Sequence, residues 1–202
     1  MFYYFIINYN IMKRQNFITE YADISYIQST GSQVIDTHWA PNYDDYEIYL
    51  DFMYTITPYH VSIIGQKCSQ DNNWLGGGYF PNQNLCRMWI GSTSNVGGVT
   101  MYGGTRYVYG VHVIRSTNTW YQILNDTART TGSYQGTPST TYTYVIGGTL
   151  LNNQVYYGSS YRIYNCIIKA NGIIVHNYIP KLRLYDNKPG LFDTITNTFS
   201  YK

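Results

Sequence analysis

Polar and apolar residues alternate with a period of two along much of this chain. Over 46–57, Tyr46, Ile48, Leu50, Phe52, Tyr54 and Ile56 fall on one side, and Glu47, Tyr49, Asp51, Met53, Thr55 and Thr57 on the other. That pattern predicts a β-strand that buries its even-numbered positions. Residues 106–115 repeat it, with Tyr107, Tyr109, Val111 and Val113 on the apolar side. Asn171-Gly172 sits between two apolar runs, which predicts a hairpin over 162–179 with a type I′ turn. Further strands are expected at 24–28, 61–66, 85–90, 120–125 and 142–146, and a weak helical pattern covers 14–21. Gly76-Gly77-Gly78, Gly97-Gly98, Gly103-Gly104 and Gly147-Gly148 read as the punctuation between strands. Many short strands without alternating helices define an all-β sandwich or barrel. With no fixed-period repeat and no linker, the expected organisation is an N-terminal arm over 1–20 and one domain over 21–202.

Composition narrows the choice. Charged residues make up 12% of 202, against roughly 25% in an ordinary soluble domain, while tyrosine alone contributes 25. Aromatic richness with little charge excludes disorder. A net charge of +2 without a basic block gives no footprint for nucleic acid or an anionic membrane. Cys68, Cys86 and Cys166 are too few and too scattered for a disulfide framework or a zinc site, so buried free thiols are expected.

The arm carries six large apolar residues in a row: Phe2, Tyr3, Tyr4, Phe5, Ile6 and Ile7. Lys13 and Arg14 follow this run instead of preceding it, and the run is too short for a secretory signal or a membrane span. Both faces of such a strand need cover. The arm is therefore read as a partner-binding segment that contacts a neighbouring chain.

Catalytic signals are sparse. Glu20 and Glu47 are the only glutamates. The segment 47–51 places Tyr49 where the Glu-x-Asp-x-x-Glu strand of sandwich-fold glucanases needs an aspartate, so the two-carboxylate requirement of a glycosidase is unmet. Five acids fall between Asp36 and Asp51. They are read as a solvated loop and the polar face of a strand, not as a calcium cage. His38, His60, His112 and His176 lack ligand spacing. No metal and no cofactor is implied. Trp89 and Trp120 lie in apolar runs and are assigned to the core, whereas Trp39 and Trp74 sit beside polar loop residues. Trp39 and Trp74, with Asn72 and Asn73, form the candidate glycan-binding set.

Two stretches carry a family resemblance. Residues 26–37, YIQSTGSQVIDT, are similar to the opening of laminin-G/concanavalin A-like jelly-roll domains. The closing hairpin of that family is matched by Arg162-Ile163-Tyr164-Asn165-Cys166-Ile167-Ile168, Asn171-Gly172, Val175 and Tyr178-Ile179-Pro180. Its terminal pattern is matched by Gly190-Leu191-Phe192-Asp193-Thr194 and Phe199, and its preceding apolar strand by Tyr144-Val145-Ile146-Gly147. Where the family often has Asp-Gly in a middle hairpin, this chain has Asn125-Asp126-Thr127, which admits a turn of different geometry.

The resemblance implies a two-sheet antiparallel jelly-roll sandwich of the kind common in tailed phages and in surface proteins of gut anaerobes. The expectation is a non-enzymatic structural component of a phage virion: a capsid decoration, head-fibre or tail-associated protein. It would be made in the bacterial host cytoplasm, homo-oligomeric or bound to other virion proteins, and able to adhere to host glycans. The alternative is a carbohydrate-binding module of a bacterial surface protein.

Overall fold

The computed structural model describes residues 20–42, 44–55, 61–68, 74–80, 85–91, 93–135, 141–156, 158 and 160–201. The arm residues 2–7, the pair Asn72 and Asn73, and 14–19 of the helical pattern lie outside them.

Among the described residues, eighteen strands form two sheets. The first runs β11 (Thr127–Ser133), β10 (Thr119–Leu124), β9 (Arg106–Ile114), β4 (Tyr46–Tyr54), β15 (Ser160–Ala170), β16 (Ile173–Arg183), β17 (Lys188–Asp193) and β18 (Thr198–Ser200). To this sheet β1 (Tyr21–Asp23) adds beside β16, and β2 (Ile27–Thr30) beside β15. The second runs β14 (Gln154–Tyr156), β13 (Thr149–Leu151), β5 (Val61–Cys68), β6 (Trp74–Phe80), β7 (Leu85–Gly91) and β8 (Thr93–Thr100). There β12 (Tyr144–Ile146) pairs with β5 and with β3 (Ile35–Asp36). Pairing is antiparallel except between β13 and β5, which run parallel over a short stretch. The architecture is the expected jelly-roll sandwich.

The register follows the alternation. In β4 the even-numbered Tyr46, Ile48, Leu50, Phe52 and Tyr54 are buried and the odd-numbered positions face away from the core. Full burial of a side chain such as Leu50 stabilises by roughly 1.5–3 kcal/mol. In β9 the buried set is Tyr107, Tyr109, Val111 and Val113, together with Gly110. Trp120 of β10 is buried with them, as are the free thiols of Cys86 and Cys166. Burial pushes the Cys86 thiol up to about 12.

Tyrosine and asparagine both have uses inside the fold. Among the described residues, eight tyrosines are buried in the core. Several of their hydroxyls are paired: Tyr46 and Tyr144 bond each other at 2.7 Å, Tyr178 donates to the Thr37 carbonyl at 2.7 Å, and Tyr161 donates to the Gln33 carbonyl at 2.9 Å. Gln122 Nε2 donates both to Tyr109 Oη (2.9 Å) and to the Cys86 carbonyl (3.1 Å), tying β10 to β7 of the other sheet. Among the described residues, eight of the ten non-glycine positions at positive φ are asparagines. Asparagine tolerates the left-handed region because its short amide bonds locally. The hairpin turn at Asn171-Gly172 has φ of +49° and +78°, as type I′ requires. Asn125-Asp126 adopts the same geometry at +49° and +61°, so the missing glycine leaves the turn type unchanged.

Three expectations need correction. Gly76-Gly77-Gly78 lies within β6 and Gly97-Gly98 within β8; they are strand residues, not turns. β6 has a ladder partner on each side, and this double pairing holds glycine extended despite its weak strand preference. Of the strand expected at 24–28, only 27–28 are extended in the ladder, as the start of β2; 24–26 link β1 to β2. Tyr21 belongs to β1 and is not helical.

The Asp193-Thr194 motif locks the last turn. The buried Asp193 carboxylate accepts bonds from the backbone N–H of Asn177 (2.9 Å) and Ile195 (3.1 Å) and from the Thr196 hydroxyl (2.6 Å). It also lies 2.6 Å from His176 Nδ1.

Candidate functional site

Cross-strand register assembles rows of side chains on the outer face of the first sheet. One row runs Lys169, Glu47, His112, Tyr121 across β15, β4, β9 and β10. The next runs Ile167, Tyr49, Gly110, Ile123 across the same strands. Below it, Asp51 pairs with Val108. A cavity of about 490 Å³ opens here, lined by Tyr49, Val108, Ile123, Asp126, Ala128, Ile167 and Lys169.

Gly110 shapes this trough. A Cβ built there would come within 2.7 Å of Tyr49 Cδ1 and 3.1 Å of Ile123 Cβ. The absence of a side chain lets the Tyr49 ring lie across the strand. Its hydroxyl donates to Glu47 Oε2 at 2.5 Å, and Lys169 Nζ lies 3.4 Å from the same oxygen and 5.0 Å from the centre of the Tyr49 ring. Partial burial raises the Glu47 carboxyl, but the Tyr49 hydroxyl and the Lys169 charge outweigh it and hold the group below its ordinary value. Burial and then the Glu47 bond push the Tyr49 phenol upward. Further along the face, Asp51 is clamped by Arg106 through Nε (2.7 Å) and Nη2 (2.6 Å), and Arg106 stacks on the Tyr164 ring at 3.9 Å.

Neither Glu47 nor Asp51 on this face is poised as a general acid. A general acid must be protonated where it works. Glu47 is held ionised, and Asp51 is occupied by Arg106. An apolar floor with a few polar groups at its edges is the usual make-up of a small-ligand site.

Of the glycan set named from the sequence, Trp39 lies outside this trough, and Asn72 and Asn73 fall outside the described residues. Trp39 is half-buried, its ring stacked on Tyr144 (5.7 Å) and edge-on to Tyr46 (5.6 Å), so it packs against the core. Trp74 opens β6 in the other sheet. The acids between 36 and 51 are dispersed: Asp44 accepts from Asn171 Nδ2 (2.7 Å) and Asp45 from the Arg115 N–H (2.7 Å). Among the described residues, no group of three or more His, Cys, Asp or Glu side chains could hold a metal, and no helix is long and apolar enough to cross a membrane.

The trough residues escaped the sequence reading. Their signal was an aromatic, Tyr49, on the polar side of an alternating strand, and a glycine interrupting the buried run of β9.

The sequence matches no protein-family model and no curated protein sequence. Solved structures share its fold. The CBM40 of a Ruminococcus gnavus IT-sialidase superposes with a TM-score of 0.58 at 10% identity, covering 75% of this chain and 91% of that one. The same module has been solved bound to α2,3-sialyllactose. NanB sialidase from Streptococcus pneumoniae gives 0.58 at 10% identity over 73% of this chain, which spans 26% of the sialidase. A SAP-like pentraxin from Limulus polyphemus gives 0.56 at 14% identity, covering 73% and 77% of the two chains. At such identities the likeness establishes the fold alone. The chain is an all-β jelly-roll sandwich of the concanavalin A-like kind, and the likeness has no bearing on a phage origin.

Proposed function

We propose that this chain is a non-catalytic carbohydrate-binding domain that takes a sugar ring in the trough beside Tyr49. The observation that carries the proposal is the trough itself: Val108, Ile123 and Ile167 supply an apolar floor, with Asp126 and Lys169 also at the site. Sugars present apolar C–H faces and hydroxyl edges, which such a surface complements. The CBM40 likeness supports the same reading. Titration of the intact chain with α2,3-sialyllactose and with lactose, followed by calorimetry, is expected to show saturable binding to at least one. Tyr49→Ala should weaken it about tenfold or more, a loss of roughly 1.4 kcal/mol. Binding by neither sugar, or binding indifferent to Tyr49→Ala, overturns the assignment.

A second element concerns where the domain is displayed. The sequence resemblance and the six consecutive apolar residues 2–7 support attachment to a phage virion through that segment. Deleting residues 1–11 is then expected to abolish incorporation into particles while leaving the β-sheet circular dichroism unchanged. Normal incorporation of the truncated chain overturns it.

A further inference from the structure

The face that carries the trough continues past it along β4. Val108 lines the trough and pairs with Asp51; two residues on, Met53 pairs with Arg106 of β9 and with Arg162 of β15. Gln28 of β2 extends this row beside Arg162. Tyr26 and Tyr164 stand here with ring centres 5.8 Å apart, and each carries a guanidinium. Arg106 lies 3.9 Å over Tyr164, and Arg162 lies 4.5 Å over Tyr26. We infer that this row is a second subsite of the same face, built for a carboxylate or sulfate group, so that the ligand is an acidic oligosaccharide laid along β4. The inference rests on the trough being a sugar site.

The argument starts from donors that the fold leaves unused. Asp51 engages Arg106 through Nε and Nη2, which leaves the Nη1 group. Arg162 donates from Nε to Gln28 Oε1 at 2.9 Å, and among the described residues no carboxylate forms an ion pair with it. A guanidinium presents five N–H donors in a planar fork, which matches the oxygens of a carboxylate or a tetrahedral oxyanion. Asp23, the carboxylate nearest in sequence to Tyr26, is held by Lys181. This end of the face therefore sets Arg106, Arg162 and Lys181 against Asp51 and Asp23, a surplus of positive charge. Stacking on the two rings holds the guanidinium planes in advance, so little side-chain freedom is lost when an anion binds. The Arg106 side chain is 56% exposed and open to a ligand.

Spacing decides what kind of ligand fits. Four residues of strand separate Tyr49 from Met53, about 13 Å at an extended rise. That is more than the width of one sugar ring, so the acidic group belongs to a neighbouring unit of the chain and not to the ring in the trough. The trough itself favours this division. Its Lys169 is already paired with Glu47, and Asp126 adds a carboxylate there.

The test is calorimetric titration of the intact chain with two acidic hexasaccharides, a galacturonate and a sulfated galactan, each beside its neutral counterpart, the methyl ester and the desulfated chain. At least one acidic chain is expected to bind about tenfold more tightly than its counterpart, and added salt should shrink the advantage. The pair that shows the advantage tells carboxylate from sulfate. Arg162→Gln leaves the Arg106–Asp51 clamp in place and should remove most of the advantage, whereas Tyr49→Ala should weaken acidic and neutral chains alike. In nuclear magnetic resonance spectra, the amide signals of 26–28, 106 and 162–164 should move with the acidic chain only. Binding of the neutral chains without an acidic advantage, or an advantage that survives Arg162→Gln, overturns the inference and leaves the trough standing. Failure of all the hexasaccharides to bind overturns both.

Discussion

The hydroxyl of Tyr46 lies 2.7 Å from that of Tyr144, and this bond joins the two sheets through the middle of the core. Removing one hydroxyl strands the other in an apolar setting. Tyr46→Phe is expected to cost about 1–3 kcal/mol, and the double variant Tyr46→Phe/Tyr144→Phe less than the sum of the two single changes. Urea unfolding of the three variants checks this, and strict additivity would contradict the described bond.

Gly110→Val should fill the space that the Tyr49 ring occupies. The expected cost is roughly 1–3 kcal/mol from overpacking, with loss of sugar binding in the trough. Thermal unfolding and calorimetric titration measure the two effects separately.

Alkaline pH should unfold the domain. Burial raises the phenols of Tyr46, Tyr144, Tyr161 and Tyr178 above their ordinary value. In the unfolded chain they ionise near pH 10, while in the folded chain they stay neutral to higher pH. The unfolded state therefore loses protons first, and stability is full below about pH 10 and falls as pH rises beyond it. Phenolate absorbance should climb steeply together with loss of circular dichroism. Gradual ionisation before unfolding would refute the description of these side chains as sealed.

Asp193 predicts the opposite dependence at low pH. Burial raises its carboxyl, yet bonds from Thr196, Asn177, His176 and Ile195 together hold it below its ordinary value. Its contribution is present above about pH 4 and disappears as pH falls through the lower, folded value. Asp193→Ala should destabilise by about 2–3 kcal/mol at neutral pH, and the difference from the parent should shrink in acid. Denaturation at pH 7 and pH 3 tests this.

What the sequence reveals here is local. The burial side of β4 follows from alternation alone, and the turn at Asn171-Gly172 from two residues whose backbone preferences admit few alternatives. Asp193-Thr194 is a recognisable motif because one carboxylate satisfies a whole turn. The trough is different. Tyr49, Gly110, Ile123 and Ile167 belong to four strands and become neighbours only through register across the sheet. No local period encodes that adjacency. Trp39 shows the converse, since its polar sequence neighbours conceal a ring packed on Tyr46 and Tyr144.

The central position of β15 has a consequence for how the chain reaches this state. β15 pairs with β4, β16 and β2, and its Lys169 meets Glu47 across 122 residues of chain. Until 160–170 emerge from the ribosome, β4 has an open ladder edge on that side. Closing so long a loop precedes any gain from the contacts it brings. Assembly of the first sheet is accordingly a late, slow event, and a nascent chain stalled before Ser160 would carry an exposed edge prone to pairing with its neighbours.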